Sequence, residues 1–449
     1  MLMAHISMLS TQGEVEVLTL LLAVALATAL AARALRFPYT LALALVGLVI
    51  GVFVTLPELQ LTPDVILFIF LPILLFEGAW NIEISKLLAN WLLVLLLAVP
   101  GLLIAVAITA FGLHFGAGLS WLIALLVAAI ISPTDPIAVI ALMRQLGMSS
   151  RLRTIIEGES LFNDGVGAAT FVVTLDLLAI TLAPSFTGFS RDMAGAEARA
   201  AIWLFAGGVL IGGVVGWLVS RLLRLVEDRL IETSVTFIVA YGVYLVADLL
   251  GASGILAVVT AGLILGSYGR RVGLSDLSHE AVDNAWEFLS YVATSLLFLL
   301  LGVQLSHVAL AALPIIAWAT AGLIVGRAVI VYGMTGLHNA IARAVSRWRA
   351  HARARGRPRP TPPSWNPILL LSGLRGALSI TLALSLPAYT PGLRQIQDAV
   401  YGVTLVTLLG QGVALRFLLP RWPGLSASQQ PSRLPEKEAE PETLSERDG

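Results

Sequence analysis

The stretch "EGESLFNDGVG", residues 157 to 167, sets Glu157, Glu159, Asn163 and Asp164 between apolar runs. In a helix, residues four apart lie one above the other. Ser160 and Asp164 therefore share one face, and Glu159 and Asn163 share a second. A small hard cation takes several oxygen ligands, and the Ser160–Asp164 face offers two. Glu157 lies nearer the basic loop that precedes it and is given no part in a site. A second stretch, "ISPTDPIAVI", residues 131 to 140, brackets Thr134 and Asp135 with Pro133 and Pro136. Each proline removes a backbone donor and clashes with the preceding turn, so this helix should break and release carbonyls. Ser160, Asp164, the freed Thr134 carbonyl and Glu77 of "LLFEGAW" are the candidate ligands, with Asp135 nearby. A third stretch, "SGLRGALSI", residues 372 to 380, offers another break, with Gly373 and Gly376 flanking Arg375.

The surroundings of these residues are not those of a soluble site. The chain has 449 residues, 57% hydrophobic and 12% charged, with mean hydropathy +0.88. Soluble domains carry about 25% charged residues. A polytopic membrane protein follows. The formal net charge is zero, and there is no cysteine. Total charge therefore suggests no nucleic-acid partner, and disulfides, thiolate metal sites and thiol nucleophiles are excluded.

About 20 apolar residues span a bilayer. On that ruler about thirteen transmembrane helices are expected, centred near residues 25, 48, 71, 102, 133, 167, 211, 241, 261, 294, 321, 377 and 407. Basic residues test the count. Arg33 and Arg36, Lys86, Arg144 with Arg151 and Arg153, Arg221 with Arg224 and Arg229, and Arg270 with Arg271 follow the odd spans. So does the loop "IARAVSRWRAHARARGRPRP", with seven arginines. The alternate loops hold Arg191, Arg199 and Arg394. The bias puts the N-terminus outside and the C-terminus in the cytoplasm. The arginine loop reads as an ordinary cytoplasmic loop, with nucleic acid or anionic lipid as the alternative partner. Residues 1–420 form the membrane domain, and 421–449 a short disordered tail.

A lone charge at mid-membrane costs roughly 3 kcal/mol on insertion scales. Glu77, Asp135, Glu159, Asp164, Arg327 and Arg375 each therefore ask for a partner or a role. Either they form a structural network of buried pairs, or some of them carry ions. Broken helices near the midplane mark ion sites in secondary transporters. The "SPTDP" break falls in span five and the "GLRG" break in span twelve. Inverted repeats made of spans 1–6 and 8–13 would bring two interrupted helices together at mid-membrane. Asp135 and Arg375 would offset the partial charges of the facing helix ends. Asp176, near the outer end of its span, is expected to be solvated.

With these residues in place the chain resembles monovalent cation:proton antiporters of the bacterial NhaP and animal NHE type. The likeness runs over about residues 15 to 420 and rests on "FPYTLALALVGLVIG", "LFEGAWNIE", "ISPTDPIAV", "EGESLFNDGVGAATF", "SGILAVVTAGLILG", "GRAVIVY" and "GLRGALSITLALSLP". The resemblance implies a core domain and a dimerisation domain, a homodimer, and Na⁺ (or Li⁺) exchanged for H⁺ by alternating access, in pH and sodium homeostasis. It implies no cofactor and no enzymatic activity. Asp164 would carry the cation or the proton, with Glu77, Ser160 and the Thr134 carbonyl as co-ligands and Asp135 near them. Glu159 and Arg327 would be a buried ion pair with Asn163 bonded into it. Asn163 before Asp164 is the form the family associates with electroneutral exchange. The tail lacks the long regulatory region of animal members, so regulation through such a tail is not expected. K⁺/H⁺ antiport and cation-coupled solute symport are the alternatives. An aspartyl protease using Asp135 and Asp164 is disfavoured by Asn163, since those enzymes place Gly-x-Gly before the aspartate.

Overall fold

The computed structural model describes residues 2–35, 37–53, 65–183, 191–226, 228–273, 276–305, 308–348 and 360–418. Most of the arginine-rich loop and the whole of the tail from 421 lie outside the described residues. Among those described, all regular structure is helical. The helices are α1 (Leu2–Ala34), α2 (Tyr39–Phe53), α3 (Ile66–Asn81), α4 (Ile84–Ala117), the half-helices α5a (Trp121–Ile131) and α5b (Ile137–Gln145), α6 (Ser150–Leu182) and α7 (Arg191–Leu222). There follow α8 (Arg229–Leu249), α9 (Gly254–Val272), α10 (Asp276–Leu305), α11 (Leu313–Trp348), the half-helices α12a (Asn366–Leu371) and α12b (Ala377–Leu384), and α13 (Leu393–Leu418).

Each expected span coincides with one of these helices or broken pairs. Eight are long and apolar enough to cross a membrane, and four further apolar helices are shorter. Local chemistry sets the ends. The Asp228 carboxylate accepts from the N–H groups of Leu230 and Ile231 and caps α8. Ser253 caps α9, and α4 stops at Gly118, whose φ of 73° is left-handed. Pro100 lies inside α4 and is taken up by a single π turn at Leu97–Gly101.

The packing repeats itself. Helix α4 lies on α11, and α5a on α12b. The pair α3–α9 is matched by α10–α2, α4–α6 by α11–α13, and α1–α2 by α8–α9. Exchanging the first six helices for the last six leaves these pairings in place. A single helix, α7, separates the two sets, so if each unit crosses once the second set runs in the opposite sense. These are the inverted repeats, and the two breaks are equivalent points within them.

The pair α2–α10 crosses closely because it lacks side chains at the crossing. A Cβ at Gly302 would run into the Ala44 carbonyl oxygen, and one at Gly47 into the Leu299 carbonyl oxygen. Small residues at such crossings let backbones approach and gain dispersion contact. Gly302→Val should therefore cost about 1 to 3 kcal/mol, as overpacking does. A lower unfolding midpoint and a lower yield in detergent are expected; an unchanged midpoint would mean that the crossing relaxes freely.

Candidate functional site

The two breaks meet. The Asp135 N–H donates to the Leu374 carbonyl over 2.8 Å. Arg375 Nη1 donates to the Ser132 and Pro133 carbonyls at 2.9 and 3.2 Å. These are the acceptors freed where α5a stops, and the cation lies at that helix's negative end. Asp135 Oδ1 accepts from the Ile137 N–H at 3.0 Å, at the positive start of α5b. Its carboxylate also rests against Gly376, where a Cβ would collide with it. One aspartate thus serves the N-terminal ends of two half-helices.

Helix α6 lies against this crossing. Ser160 Oγ donates to the Thr134 carbonyl. Asn163 Nδ2 approaches Thr134 Oγ1 and Glu159 Oε1, each at 3.3 Å. Glu159 receives Arg327 in a two-pronged contact, Nη1 to Oε1 and Nη2 to Oε2, the latter 3.1 Å. Arg327 also donates from Nε and Nη2 to the Leu369 carbonyl, at 3.1 and 2.9 Å, closing the end of α12a. Glu159 is 1% exposed and Arg327 7%. Asn163 and Arg375 are buried with them.

Asp164, Asp135 and Glu77 are different. All three are only partly buried, and all three line one cavity of about 450 Å³. Asp164 sits beside Ser160 and Thr134 on its wall. Among the described residues Asp164 has no hydrogen-bond or ion-pair partner. Glu77 reaches the cavity from α3. Its Oε1 accepts from Asn81 Nδ2 at 2.7 Å, and its Oε2 faces Ser290 Oγ at 3.5 Å. It stands across the cavity, bonded to its own helix and to α10.

The expected site residues therefore divide. Asp164, Ser160, Thr134, Asp135 and Glu77 share the cavity. Glu159, Arg327, Asn163 and Arg375 are sealed behind it. Glu157, given no part in the site on sequence grounds, also lines the cavity and pairs with Arg144 at 3.6 Å. Its spacing from Ser160 and Asp164, three and seven residues, is the signal for a shared face. Glu287, Ser290, Tyr291 and Thr294 of α10 line the opposite wall with Tyr39. They repeat at helical spacing too, but nothing in their sequence surroundings marks them. Asp176, expected to be solvated, is exposed.

The family model described as "Sodium/hydrogen exchanger, transmembrane" matches residues 19–421. The chain belongs to this family. It is 39% identical over 387 residues to the Na⁺/H⁺ antiporter ApNhaP of Aphanothece halophytica, covering 86% of this chain and 70% of the relative. It is 37% identical over 401 residues to the low-affinity Na⁺/H⁺ antiporter NhaS1 of Synechocystis, covering 89% and 72%. The solved sodium proton antiporter MjNhaP1 of Methanocaldococcus jannaschii superposes with a TM-score of 0.71 at 20% identity, over 92% of this chain and 98% of that one. That likeness shows the fold, and it agrees with the interrupted, inverted architecture above. This member of the sodium/hydrogen exchanger family is an integral membrane protein.

Removing one partner of a buried ion pair strands the other, at about 3 to 5 kcal/mol. Glu159→Ala and Arg327→Ala should each lower thermal stability and yield more than they shift Na⁺ dependence. Normal stability with a large change in Na⁺ dependence would move the pair into the transport site.

Proposed function

We propose that the chain exchanges Na⁺ for H⁺ across the membrane, with Asp164 as the shared carrier. The observation that carries this is the contrast among its acids. Glu159 is sealed and neutralised by Arg327. Asp164 faces a cavity with no protein partner among the described residues. A single carboxylate has one charge to offer, so a proton and a monovalent cation compete for it. Binding of one weakens the other, and the coupling is reciprocal. Ser160 Oγ, the Thr134 carbonyl and Glu77 supply further oxygens on the cavity wall. Asp135 holds the two half-helices in register and adds negative charge beside them. The relatives named above are Na⁺/H⁺ antiporters, which favours Na⁺ over K⁺, and no organic substrate need be invoked.

The cavity lies between two sets of helices. Trp80 Nε1–Asp283 at 2.6 Å, Trp286 Nε1–Thr236 at 2.9 Å and Tyr241–Ile69 at 3.3 Å join helices within α1–α3 and α7–α10. Glu159–Arg327, Arg375–Ser132 and Arg151 Nε–Asn90 at 2.7 Å join helices within α4–α6 and α11–α13. Near the site two contacts between the sets are apolar: Leu256 against Gly165, and Leu161 against Gly78. This supports a core, α4–α6 with α11–α13, that moves against a scaffold, α1–α3 with α7–α10. Such relative motion would give alternating access. Thirteen crossings, with the N-terminus outside, put the ends of α3 and α5b and the start of α6 in the cytoplasm. Arg144 and Glu157, which line the cavity, belong to that end, so the cavity faces inward. Homodimerisation through the scaffold follows the family resemblance.

Asp164→Asn should reach the membrane but lose coupled exchange in proteoliposomes. Exchange above a few per cent of wild type would remove Asp164 from the carrier role.

The cycle should be electroneutral. Asn163 cannot ionise, and Glu159 is already paired with Arg327. If Glu77, on the cavity wall, keeps one protonation state through the cycle, one proton moves for one Na⁺. Exchange in vesicles clamped with potassium and valinomycin should then follow the chemical gradients alone. Clear acceleration with voltage would make Glu77 a second proton carrier.

A further inference from the structure

The cavity that reaches Asp164 has a charged end which the ion site and its sealed supports leave unused. Five carboxylates line the cavity: Glu77, Asp135, Glu157, Asp164 and Glu287. Among the described residues its lining holds one basic side chain, Arg144. Arg144 stands in the last turn of α5b, where a cation complements the helix dipole. A dipole role requires nothing more than solvent around it. Instead its Nη2 lies 3.6 Å from Glu157 Oε1 on α6, and it shares the cavity with Glu77 on α3. Glu157 lines the same cavity. One cation and two carboxylates, from α5b, α6 and α3, therefore share this space.

The Arg144–Glu157 contact is loose. At 3.6 Å it is longer than a charge-assisted hydrogen bond, and Arg144 is 59% exposed. Exposed pairs of this kind are weak and open readily. The backbone, more than the pair, keeps the guanidinium among the carboxylates. It carries the same charge as the transported ion, and it seeks the same oxygens.

We propose that Arg144 is a tethered cation in the entry cavity, competing with the transported ion for Glu77 and Glu157 and so setting the apparent Na⁺ affinity on the side the cavity faces. The proposal rests on the Na⁺/H⁺ exchange reading above. Glu157 plays the complementary part and holds Arg144 away from Glu77. When Na⁺ enters, it meets Glu77 only as far as Arg144 stays with Glu157. Arg144 and Glu157 are thus positioning residues, and removing them should act in opposite directions.

The test is apparent KM for Na⁺ in proteoliposomes, at low ionic strength and with added choline chloride. Arg144→Gln should lower KM roughly three- to tenfold at low ionic strength, the scale of one unit charge a few ångströms away in a wet site. The effect should shrink with added salt, as screening requires. Arg144→Lys should stay near wild type, because the charge persists. Glu157→Gln should raise KM, and the double variant should fall between the two. In each case the maximal rate should change less than KM. Half-maximal stabilisation of purified protein by Na⁺ should follow the same order without any flux. If Arg144→Gln gives no folded protein, Arg144→Met carries the same expectation. A structural salt bridge predicts that Arg144→Gln and Glu157→Gln shift both readouts the same way; that result, or an unchanged KM for Arg144→Gln, overturns the proposal. Wild-type vesicles run alongside. Absence of Na⁺/H⁺ exchange there refutes the reading of the site, whereas normal exchange with variants that move together refutes the role of Arg144 alone.

Discussion

Two helices that stop inside the membrane leave backbone groups that hydrocarbon cannot satisfy. Everything at this site depends on how those groups are satisfied. The Asp135 N–H is taken by the Leu374 carbonyl, and the Ser132 and Pro133 carbonyls by Arg375. The Asp135 carboxylate answers the Ile137 N–H. Opposite charges thus sit at opposite helix ends, each where the local dipole favours it. The crossing is held by groups from both breaks, so neither half can be altered without exposing the other. It also frees the Thr134 carbonyl, which accepts from Ser160 Oγ because α5a has already stopped.

The second division is between charges that water can reach and charges that it cannot. Burying an ion pair is weak evidence for stability, because desolvation can exceed the Coulombic gain. The Glu159–Arg327 pair makes more sense as a brace. Through it, α6, α11 and the end of α12a are tied at one point, and Asn163 is held between Glu159 and Thr134. That brace leaves Asp164, one residue along α6, facing the cavity. A helix turns about 100° per residue, so neighbours in sequence can point to different surroundings. "ND" in this sequence is one such case: the amide locks inward and the carboxylate looks out.

Much of this is legible from residue types. Pro133 and Pro136 around an aspartate announce a break, and Gly373 and Gly376 around an arginine announce its counterpart. The breaks fall where the repeat requires them, and they do meet. The sealed and open acids are also separable, since Arg327 is an obvious partner for one carboxylate in a span. The opposite wall of the cavity is not legible. Ser290, Tyr291 and Thr294 belong to an ordinary amphipathic pattern in α10, and only the packing of α10 on α2 turns that face toward Asp164. Glu157 escapes sequence reasoning for a related reason. Its closeness to the helix start suggests bulk solvent, yet the space beside α6 at that depth is enclosed by α3 and α5b. Nor can Glu77 be placed from sequence beyond its depth: it lines the cavity from α3, with Asn81 Nδ2 donating to it and Ser290 Oγ facing it.

On the proposed reading, the distribution of interaction types explains how such a site can move. Hydrogen bonds and ion pairs are directional and lose most of their strength when geometry shifts. Apolar contact is non-directional and scales with area. The directional contacts at the crossing lie within one set of helices: the Arg375 carbonyl contacts, the Asp135 links and the Glu159 brace. Toward α3 and α9 the same helices present Leu161 against Gly78 and Gly165 against Leu256. A body that carries its polar network intact and slides on such surfaces breaks no buried hydrogen bond in transit. Its cost is then set by the charge that it carries. An ionised Asp164 with nothing bound would have to cross the apolar contact as a bare anion, while Na⁺ or a proton neutralises it. The same desolvation that makes mid-membrane carboxylates expensive is therefore what forbids the empty return and couples the two fluxes.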